Sequence, residues 1–160
     1  MKKINFSAEY SSYPDEQALL QTDKILLFEA KEAVKTSYSP YSKFKVGSAL
    51  LLENGAIVRG SNQENAAFPV TICAERNAVF AAAAQFPGVP ILALAITVET
   101  QNKSLDKPVP PCGSCRQVML EYELRFHQNI RLIMQGDSGE VIVADAVKDI
   151  MPLIFDGSYL

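Results

Sequence analysis

The amino-acid sequence predicts an α/β domain of three layers, in which a mixed sheet of about five strands is covered by helices on both faces. Helical and strand-like segments alternate along the 160 residues in the order α-β-β-α-β-α-β-β-α. One helical segment is apolar on nearly every side, as expected of a helix buried against a sheet. The chain has 48% apolar residues and no internal repeat, so we expect one domain over residues 1–160.

The first half of the chain predicts an arm, a helix and a hairpin. Residues 1–13 have no periodicity and are expected to form an N-terminal arm. A proline and two acids then open a segment with apolar residues at helical spacing, which predicts a helix over 14–37. Apolar runs at 46–52 and 56–60 predict two strands, because the turn signal Asn54-Gly55 lies between them.

The middle of the chain alternates loops with its most apolar elements. A polar loop over 61–68 precedes the apolar helix predicted for 69–85. The run at 91–98 is the most apolar strand and is expected at the centre of the sheet. A polar, proline-bearing loop is predicted for 100–110, followed by a helix over 112–124.

The C-terminal part predicts a second hairpin and a tail. Strands at 130–134 and 140–143 flank the turn sequence 136–139 and are expected to pair in antiparallel fashion. A short helix is predicted for 144–150, and 151–160 is expected to form a C-terminal tail.

Charge and composition exclude several classes of protein. The net charge of −3 and the pI of about 5.2 argue against nucleic acid as a partner, which would require a basic surface. No apolar run is long enough to span a membrane, and no apolar segment or cleavage site follows the first lysines, so we expect a cytoplasmic protein without a membrane partner. Three cysteines are an odd number for a disulfide framework, which makes metal binding more plausible.

All three cysteines lie in two short motifs that are typical of a metal site. Cys73 stands in C-A-E-R, and Cys112 and Cys115 form P-C-x-x-C about forty residues later. Three sulfur ligands favour one zinc ion per chain over harder ions. His127 has no partner at metal-ligand spacing, so a fourth position would stay open for water, as in catalytic zinc sites. Such motifs also occur where the cysteines are simply buried and bind no metal, and the residues alone leave that alternative open.

Two charged residues directly follow the first cysteine. Glu75 stands two positions after Cys73, where a carboxylate would take a proton from water at the open zinc position and deliver it to a substrate nitrogen. Arg76 is a candidate to donate hydrogen bonds to the sulfurs. We expect the other acids of this region, Glu121, Glu123 and Asp137, to be solvated, and His127 to lie at the surface.

Four ordered segments resemble the small cytidine deaminases whose zinc ligands are all cysteines. They are S-P-Y-S-K-F-K-V-G-S-A-L, N-Q-E-N-A-A-F, T-I-C-A-E-R-N-A and P-P-C-G-S-C-R-Q-V. The resemblance covers residues 30–155. It implies a homotetramer with shared active sites that hydrolyses cytidine and deoxycytidine to uridine and deoxyuridine plus ammonia in pyrimidine salvage.

The resemblance also implies a role for individual residues. Cys73, Cys112 and Cys115 match the zinc ligands, Glu75 the catalytic proton shuttle, and Arg76 the arginine that bonds the ligand thiolates. Phe44 matches the aromatic residue that packs on the pyrimidine, and Asn62 and Glu64 match the pair that binds the ribose hydroxyls. Ala66 matches a further substrate-binding position. Phe155 matches an aromatic residue that would reach into a neighbour's active site.

The chain departs from the family pattern near the site. Phe68 stands where a tyrosine is common. Pro110 stands where serine or threonine is common before P-C-x-x-C. Tyr41 and Ala66 fall in segments that meet a neighbouring subunit in the family. These departures bear on the range of substrates more than on the reaction.

Three other functions agree less well with these residues. A deaminase for another aminopyrimidine, such as a nucleoside antibiotic, would have little use for the Asn62 and Glu64 pair. An enzyme that edits polynucleotides is disfavoured by the acidic pI. A zinc-stabilised binding module without activity would not need Glu75 beside an open zinc position.

Overall fold

The computed structural model describes residues 1–100 and 104–160 and contains one six-stranded mixed sheet with three α-helices. The strands are β1 (Ser11–Tyr13), β2 (Phe44–Leu52), β3 (Ile57–Ser61), β4 (Ile91–Thr100), β5 (Arg131–Gln135) and β6 (Val141–Ala144). The helices are α1 (Gln21–Val34), α2 (Ala74–Gln85) and α3 (Gly113–Phe126). The strand order across the sheet is β1-β6-β5-β4-β2-β3.

The sheet has six strands, one more than the five that the sequence predicted. The arm contributes β1, which pairs antiparallel with β6 and places Ser11 opposite Val143. Strand β4 is central, as predicted, and pairs parallel with β5 and antiparallel with β2. The predicted hairpin between β5 and β6 is confirmed as an antiparallel pair.

Two apolar layers separate the sheet from its helices, which confirms the three-layer architecture. Because side chains alternate across a strand, Ala49 of β2 packs in the cluster that contains Leu26 and Leu27 of α1. The next residue, Leu50, packs on the opposite face in the cluster that contains Val79 of α2 and Met119 of α3. Helix α1 therefore covers one face of the sheet, and α2 and α3 cover the other.

Helix starts differ from the prediction in two places. Residues Glu16–Ala18 form a separate 3-10 turn, capped by Asp15, which accepts a hydrogen bond from the Gln17 amide at 2.7 Å. Leu20 is extended, so α1 begins only at Gln21. In the helix predicted for 69–85, Phe68–Val70 is a 3-10 turn and Cys73 is extended, so α2 begins at Ala74.

The remaining elements follow the prediction closely. Helix α3 begins directly after Cys112, and the short helix near the C-terminus is a 3-10 turn, Val147–Ile150. Of the loop predicted for 100–110, Thr100 is the last residue of β4, and residues 101–103 lie outside the described residues. Within the described part of the chain, no helix has the length and apolarity needed to cross a membrane.

The expectation of a solvated Glu123 is wrong. This carboxylate is buried in α3 and accepts hydrogen bonds from the amides of Ile130, Val147 and Lys148 at 2.9, 2.7 and 3.2 Å. Buried polar groups need such partners, and here they come from two later segments of the chain. Glu123 thereby ties the end of α3 to the residue that precedes β5 and to the 3-10 turn near the C-terminus. His127 is exposed, as predicted.

Candidate metal centre and active site

The three cysteine thiols converge at one point between α2 and α3. The Sγ atoms of Cys73 and Cys112 are 3.8 Å apart, and those of Cys112 and Cys115 are 3.4 Å apart. All three sulfurs lie within 4.8 Å of one another. Cys115 is buried, Cys73 is half-buried and Cys112 is exposed. The cluster therefore has a closed side and a side that faces solvent.

Helix ends position this cluster. Cys73 is the N-cap of α2 and Cys112 is the N-cap of α3, and Cys115 lies in the first turn of α3. The unpaired amides and the positive dipole end of a helix stabilise a thiolate. Two helix N-termini therefore direct their electrostatic field at the same three sulfurs.

The residues present fit a zinc ion. Zinc is commonly held by cysteine thiolates about 2.3 Å from the metal, and sulfurs spaced as these are can surround one ion at that distance. Because three protein ligands leave one tetrahedral position open, the arrangement is that of a catalytic zinc site rather than a closed structural one.

Glu75 lies beside the sulfurs in the first turn of α2. Its side chain is only 4% exposed. Burial is the main reason why the pKa of this carboxyl is raised, and the charge of Cys73 acts in the same direction. Hydrogen bonding with Cys115 and the charge of Arg76 oppose the rise. Glu75 is thus a buried carboxyl group beside the three thiols.

Arg76 neutralises part of the thiolate charge. Its Nη2 atom is 3.8 Å from the Cys73 sulfur and 3.4 Å from the Thr71 carbonyl oxygen. The pKa of Cys73 is lowered to about 5, first by the hydrogen bond with Cys115 and then, against the opposing effect of burial, by the hydrogen bond from Arg76. The hydrogen bond between Cys73 and Cys115 is also the largest cause of a raised pKa for the Cys115 thiol. Arg76 therefore contacts the cluster through the Cys73 sulfur.

Asn62 is held against the start of β2 by hydrogen bonds on three sides. Its Oδ1 atom accepts from the Val46 amide at 2.8 Å and from the Ser37 hydroxyl at 2.5 Å. Its Nδ2 atom donates to the Phe44 carbonyl oxygen at 2.9 Å. The residue is buried, and its amide is fixed in one orientation.

Glu64 is held in place by the segment that precedes β2. Its carboxylate accepts hydrogen bonds from the amides of Tyr41 and Ser42 at 2.9 and 3.2 Å, and from the Ser42 hydroxyl. The Ser42 hydroxyl is the largest cause of a lowered pKa for Glu64, with further contributions from both amides and from Lys43. The group is consequently an anion with a fixed position.

Of the other predicted substrate residues, one is half-buried and two are exposed. Phe44 is half-buried at the first position of β2, and Ala66 is exposed in the loop after β3. Phe155 is exposed and stacks on Tyr159 with ring centroids 5.7 Å apart. Within one chain, no described contact joins Phe155 to the metal centre.

Several residues that support the site were not identified from the sequence. Ser37 and Ser42 bond Asn62 and Glu64, and Asn77 donates to the Ser61 carbonyl oxygen at 3.0 Å. Arg116 holds the loop before Cys112, because its Nε donates to Pro111 O and its Nη1 donates to Ile150 O, both at 2.9 Å. Arg116 directly follows Cys115, so its place next to a predicted ligand could have indicated a supporting role. Nothing in the sequence around Ser37 or Ser42 indicated theirs.

Comparison with known proteins gives a consistent result. The family model for the cytidine and deoxycytidylate deaminase zinc-binding region matches residues 20–127. A cytidine deaminase of Halalkalibacterium halodurans is 40% identical over 122 residues, which is 76% of this chain and 88% of that protein. A cytidine deaminase of Sporosarcina psychrophila is 48% identical over 120 residues, which is 74% of this chain and 83% of that protein.

Solved structures share this fold. The crystal structure of a cytidine deaminase from Burkholderia pseudomallei superposes with a TM-score of 0.72 and 35% identity, covering 86% of this chain and all of that one. The crystal structure of a cytidine deaminase from Mycobacterium tuberculosis gives a TM-score of 0.65 at 28% identity, covering 86% and 99%. The fold and the three-thiol centre define a zinc-binding deaminase domain. The chain belongs to the cytidine and deoxycytidylate deaminase family.

Proposed function

We propose that the chain is a zinc-dependent cytidine deaminase that hydrolyses cytidine and deoxycytidine to uridine and deoxyuridine, with release of ammonia. The observation that carries the proposal is the buried Glu75 directly beside three convergent thiols at two helix N-termini. A structural zinc site has no need of a carboxylate there, whereas hydrolysis of an amidine-like carbon needs a group that carries protons.

Cys73, Cys112 and Cys115 are the residues that would hold zinc, one ion per chain. When bound, zinc supplies a Lewis acid that makes water a competent nucleophile near neutral pH. Three thiolates reduce the positive charge available for this purpose. The guanidinium of Arg76 and the two helix N-termini offset that reduction.

Glu75 is the proton carrier of the proposed reaction. Water adds its oxygen to C4 of the base and gives up a proton, which the Glu75 carboxylate accepts and passes to N3. The same carboxyl group then moves the remaining proton of the C4 hydroxyl to the exocyclic nitrogen. The C4=O double bond forms as the bond from C4 to that nitrogen breaks, and ammonia leaves. Burial raises the pKa of Glu75 above that of an ordinary carboxyl group, which is the direction that favours a group able both to accept and to return a proton.

The sugar is proposed to bind at Asn62 and Glu64, with Phe44 packing on the pyrimidine. In support of this, Gln63 lies between Asn62 and Glu64 and exchanges two backbone hydrogen bonds with Ile72, the residue before Cys73. Glu64 stays ionised because of its three donors. Its charge would favour an uncharged nucleoside over a phosphorylated one.

A homotetramer with shared active sites is part of the proposal. Several large apolar side chains around the site are exposed in the single chain, including Tyr41, Phe68 and Val70, and Tyr41 meets Phe68 edge-on at 5.9 Å. Exposed patches of this kind mark interaction surfaces. Ala66 and Phe155 would complete the site of a neighbouring subunit. Sedimentation equilibrium should then give four times the chain mass of 17.6 kDa.

We further propose a cytoplasmic location and a single domain over residues 1–160. Three free cysteines that must stay reduced to bind metal suit a reducing compartment. The acidic pI gives no reason to expect nucleic acid as a partner.

The substrate range tests the proposal. Loss of the cytosine absorbance should be followed with cytidine, deoxycytidine, cytidine 3′-phosphate and cytosine, using zinc-loaded protein. Turnover of the two nucleosides, with much slower reaction of the phosphate and of the free base, is the expected result. Zinc-loaded protein that leaves both nucleosides unchanged would overturn the proposal.

A further inference from the structure

The hydroxyl of Ser37 makes a contact that the proposed reaction does not yet use. Ser37 follows α1, and its amide donates to the Val34 carbonyl oxygen at 3.0 Å, which anchors the residue to the last helical turn. From there its Oγ atom reaches the Asn62 Oδ1 atom at 2.5 Å. The weaker contact between Ser37 and the Ser39 hydroxyl is 3.5 Å long, so Asn62 is the main acceptor.

The backbone around this contact is held at both ends. The amide of Tyr38 donates to the Asn62 carbonyl oxygen at 3.0 Å, and the amide of Glu64 donates to the Tyr38 carbonyl oxygen at 2.8 Å. The segment after α1 therefore runs alongside residues 62–64 in fixed register. Because of this register, the Ser37 hydroxyl is presented to the Asn62 side chain.

The Asn62 amide is left with one polar hydrogen for a ligand. Its oxygen accepts two hydrogen bonds, from Val46 and Ser37. Among the described residues, its nitrogen donates one of its two hydrogens, to the Phe44 carbonyl oxygen. Hydrogen bonds to an amide oxygen polarise the group and strengthen its N–H as a donor. The Ser37 contact thus both orients the free N–H and makes it a better donor.

We propose that Ser37 is a positioning residue for the sugar subsite, which acts through Asn62 and determines how well a ribose hydroxyl is bound. This inference rests on the proposed function, because it deepens the assignment of Asn62. Ser37 does not touch the metal ligands and takes no part in the proton transfers. Its removal should therefore weaken substrate binding and leave the chemical step unchanged.

The test compares Ser37→Ala with the unaltered protein on two substrates, cytidine and 2′,3′-dideoxycytidine, which lacks the 2′- and 3′-hydroxyls. We expect KM for cytidine to rise about 3- to 10-fold, as for the loss of one partly buried hydrogen bond, with kcat within about 2-fold. On dideoxycytidine the same substitution should change kcat/KM by less than about 2-fold. Ser37→Thr, which keeps the hydroxyl, should restore KM.

Ser39→Ala is the matched control, because Ser39 is a neighbouring buried serine without a hydrogen bond to Asn62 among the described contacts. It should leave KM near that of the unaltered protein. If Ser37→Ala does not fold, Ser37→Cys has a similar shape with a weaker donor and should give a rise in the same direction. In the Asn62→Ala background, Ser37→Ala should have no further effect on KM.

The outcomes separate the two claims. An unaltered KM for cytidine in folded Ser37→Ala, or an equal loss on both substrates, would overturn the role of Ser37 while the proposed reaction stands. Zinc-loaded unaltered protein without turnover of cytidine would overturn the proposed function and this inference with it.

Discussion

Gln63 and Ile72 exchange both backbone hydrogen bonds: the Gln63 amide donates to Ile72 O at 3.0 Å, and the Ile72 amide donates to Gln63 O at 3.1 Å. This antiparallel bridge lies between the two functional parts of the site. Asn62 and Glu64 flank Gln63, and Cys73 follows Ile72 directly. The proposed sugar-binding residues and the metal ligand are therefore held in one backbone register, which is how a site formed by separate segments keeps a reactive geometry.

Replacement of the proposed proton carrier should separate chemistry from metal binding. In Glu75→Gln we expect kcat for cytidine to fall by about 10³-fold, as is typical for loss of a general acid/base group, with zinc content and fold retained. The measurement combines turnover, zinc analysis and circular dichroism. Glu121→Gln, an exposed acid on α3, is the control and should keep full activity. Turnover that survives in Glu75→Gln would refute the proposed mechanism.

Loss of one thiol should remove the metal. Cys112→Ala leaves two sulfurs, and we expect zinc content to fall well below one per chain after dialysis against a weak chelator. Thermal unfolding should occur at a lower temperature than in the zinc-loaded protein, because binding to the folded state alone stabilises it. Stoichiometric, tightly held zinc in this variant would show that Cys112 is not a ligand.

Gly60 is expected to control the approach of β3 to α2. A Cβ atom at this position would lie 2.4 Å from the Ala78 nitrogen and 2.5 Å from the Ala74 oxygen, both of which are backbone atoms that cannot move aside easily. Gly60→Ala should lower the free energy of unfolding by about 1–3 kcal/mol. Denaturant unfolding measures this, with Gly157→Ala as control, because a Cβ atom there meets no atom within 4 Å. Equal stability of the two variants would contradict the close packing.

Glu123 should matter for stability and not for catalysis. In Glu123→Ala the buried amides of Ile130 and Val147 and the partly buried amide of Lys148 lose their acceptor, and we expect a loss of about 2–4 kcal/mol in the free energy of unfolding. Glu121→Ala, on the same helix but exposed, should change stability by less than about 0.5 kcal/mol. At a temperature where both variants are folded, kcat should match that of the unaltered protein. A large fall in kcat with unchanged stability would reverse this assignment.

The sequence predicted the elements whose signals are local. The central β4 was evident from its apolar run, and Cys112 and Cys73 stand at helix starts, although α2 begins five residues later than predicted. The cysteine spacing identified the three residues whose sulfurs converge. In these cases, periodicity or ligand chemistry is contained within a short segment of chain.

Features that depend on distant partners could not be predicted. Strand β1 is three polar or aromatic residues that pair with β6, about 130 residues away, and its Tyr13 packs against the apolar cluster under α1. The burial of Glu123 follows from amides supplied by residues 130, 147 and 148. The role of Ser37 depends on the register between the end of α1 and residues 62–64. No pattern of residue types within a single segment encodes such contacts.

Activity as a function of bound zinc is the most direct test of the central claim that one three-thiol centre with Glu75 deaminates cytidine. Metal-free, reduced protein should be titrated with zinc while ammonia release from cytidine and bound zinc per chain are measured in the same samples. We predict that turnover rises in proportion to bound zinc and reaches its maximum at one ion per chain. Full turnover without zinc, or one zinc per chain without turnover, would contradict the account.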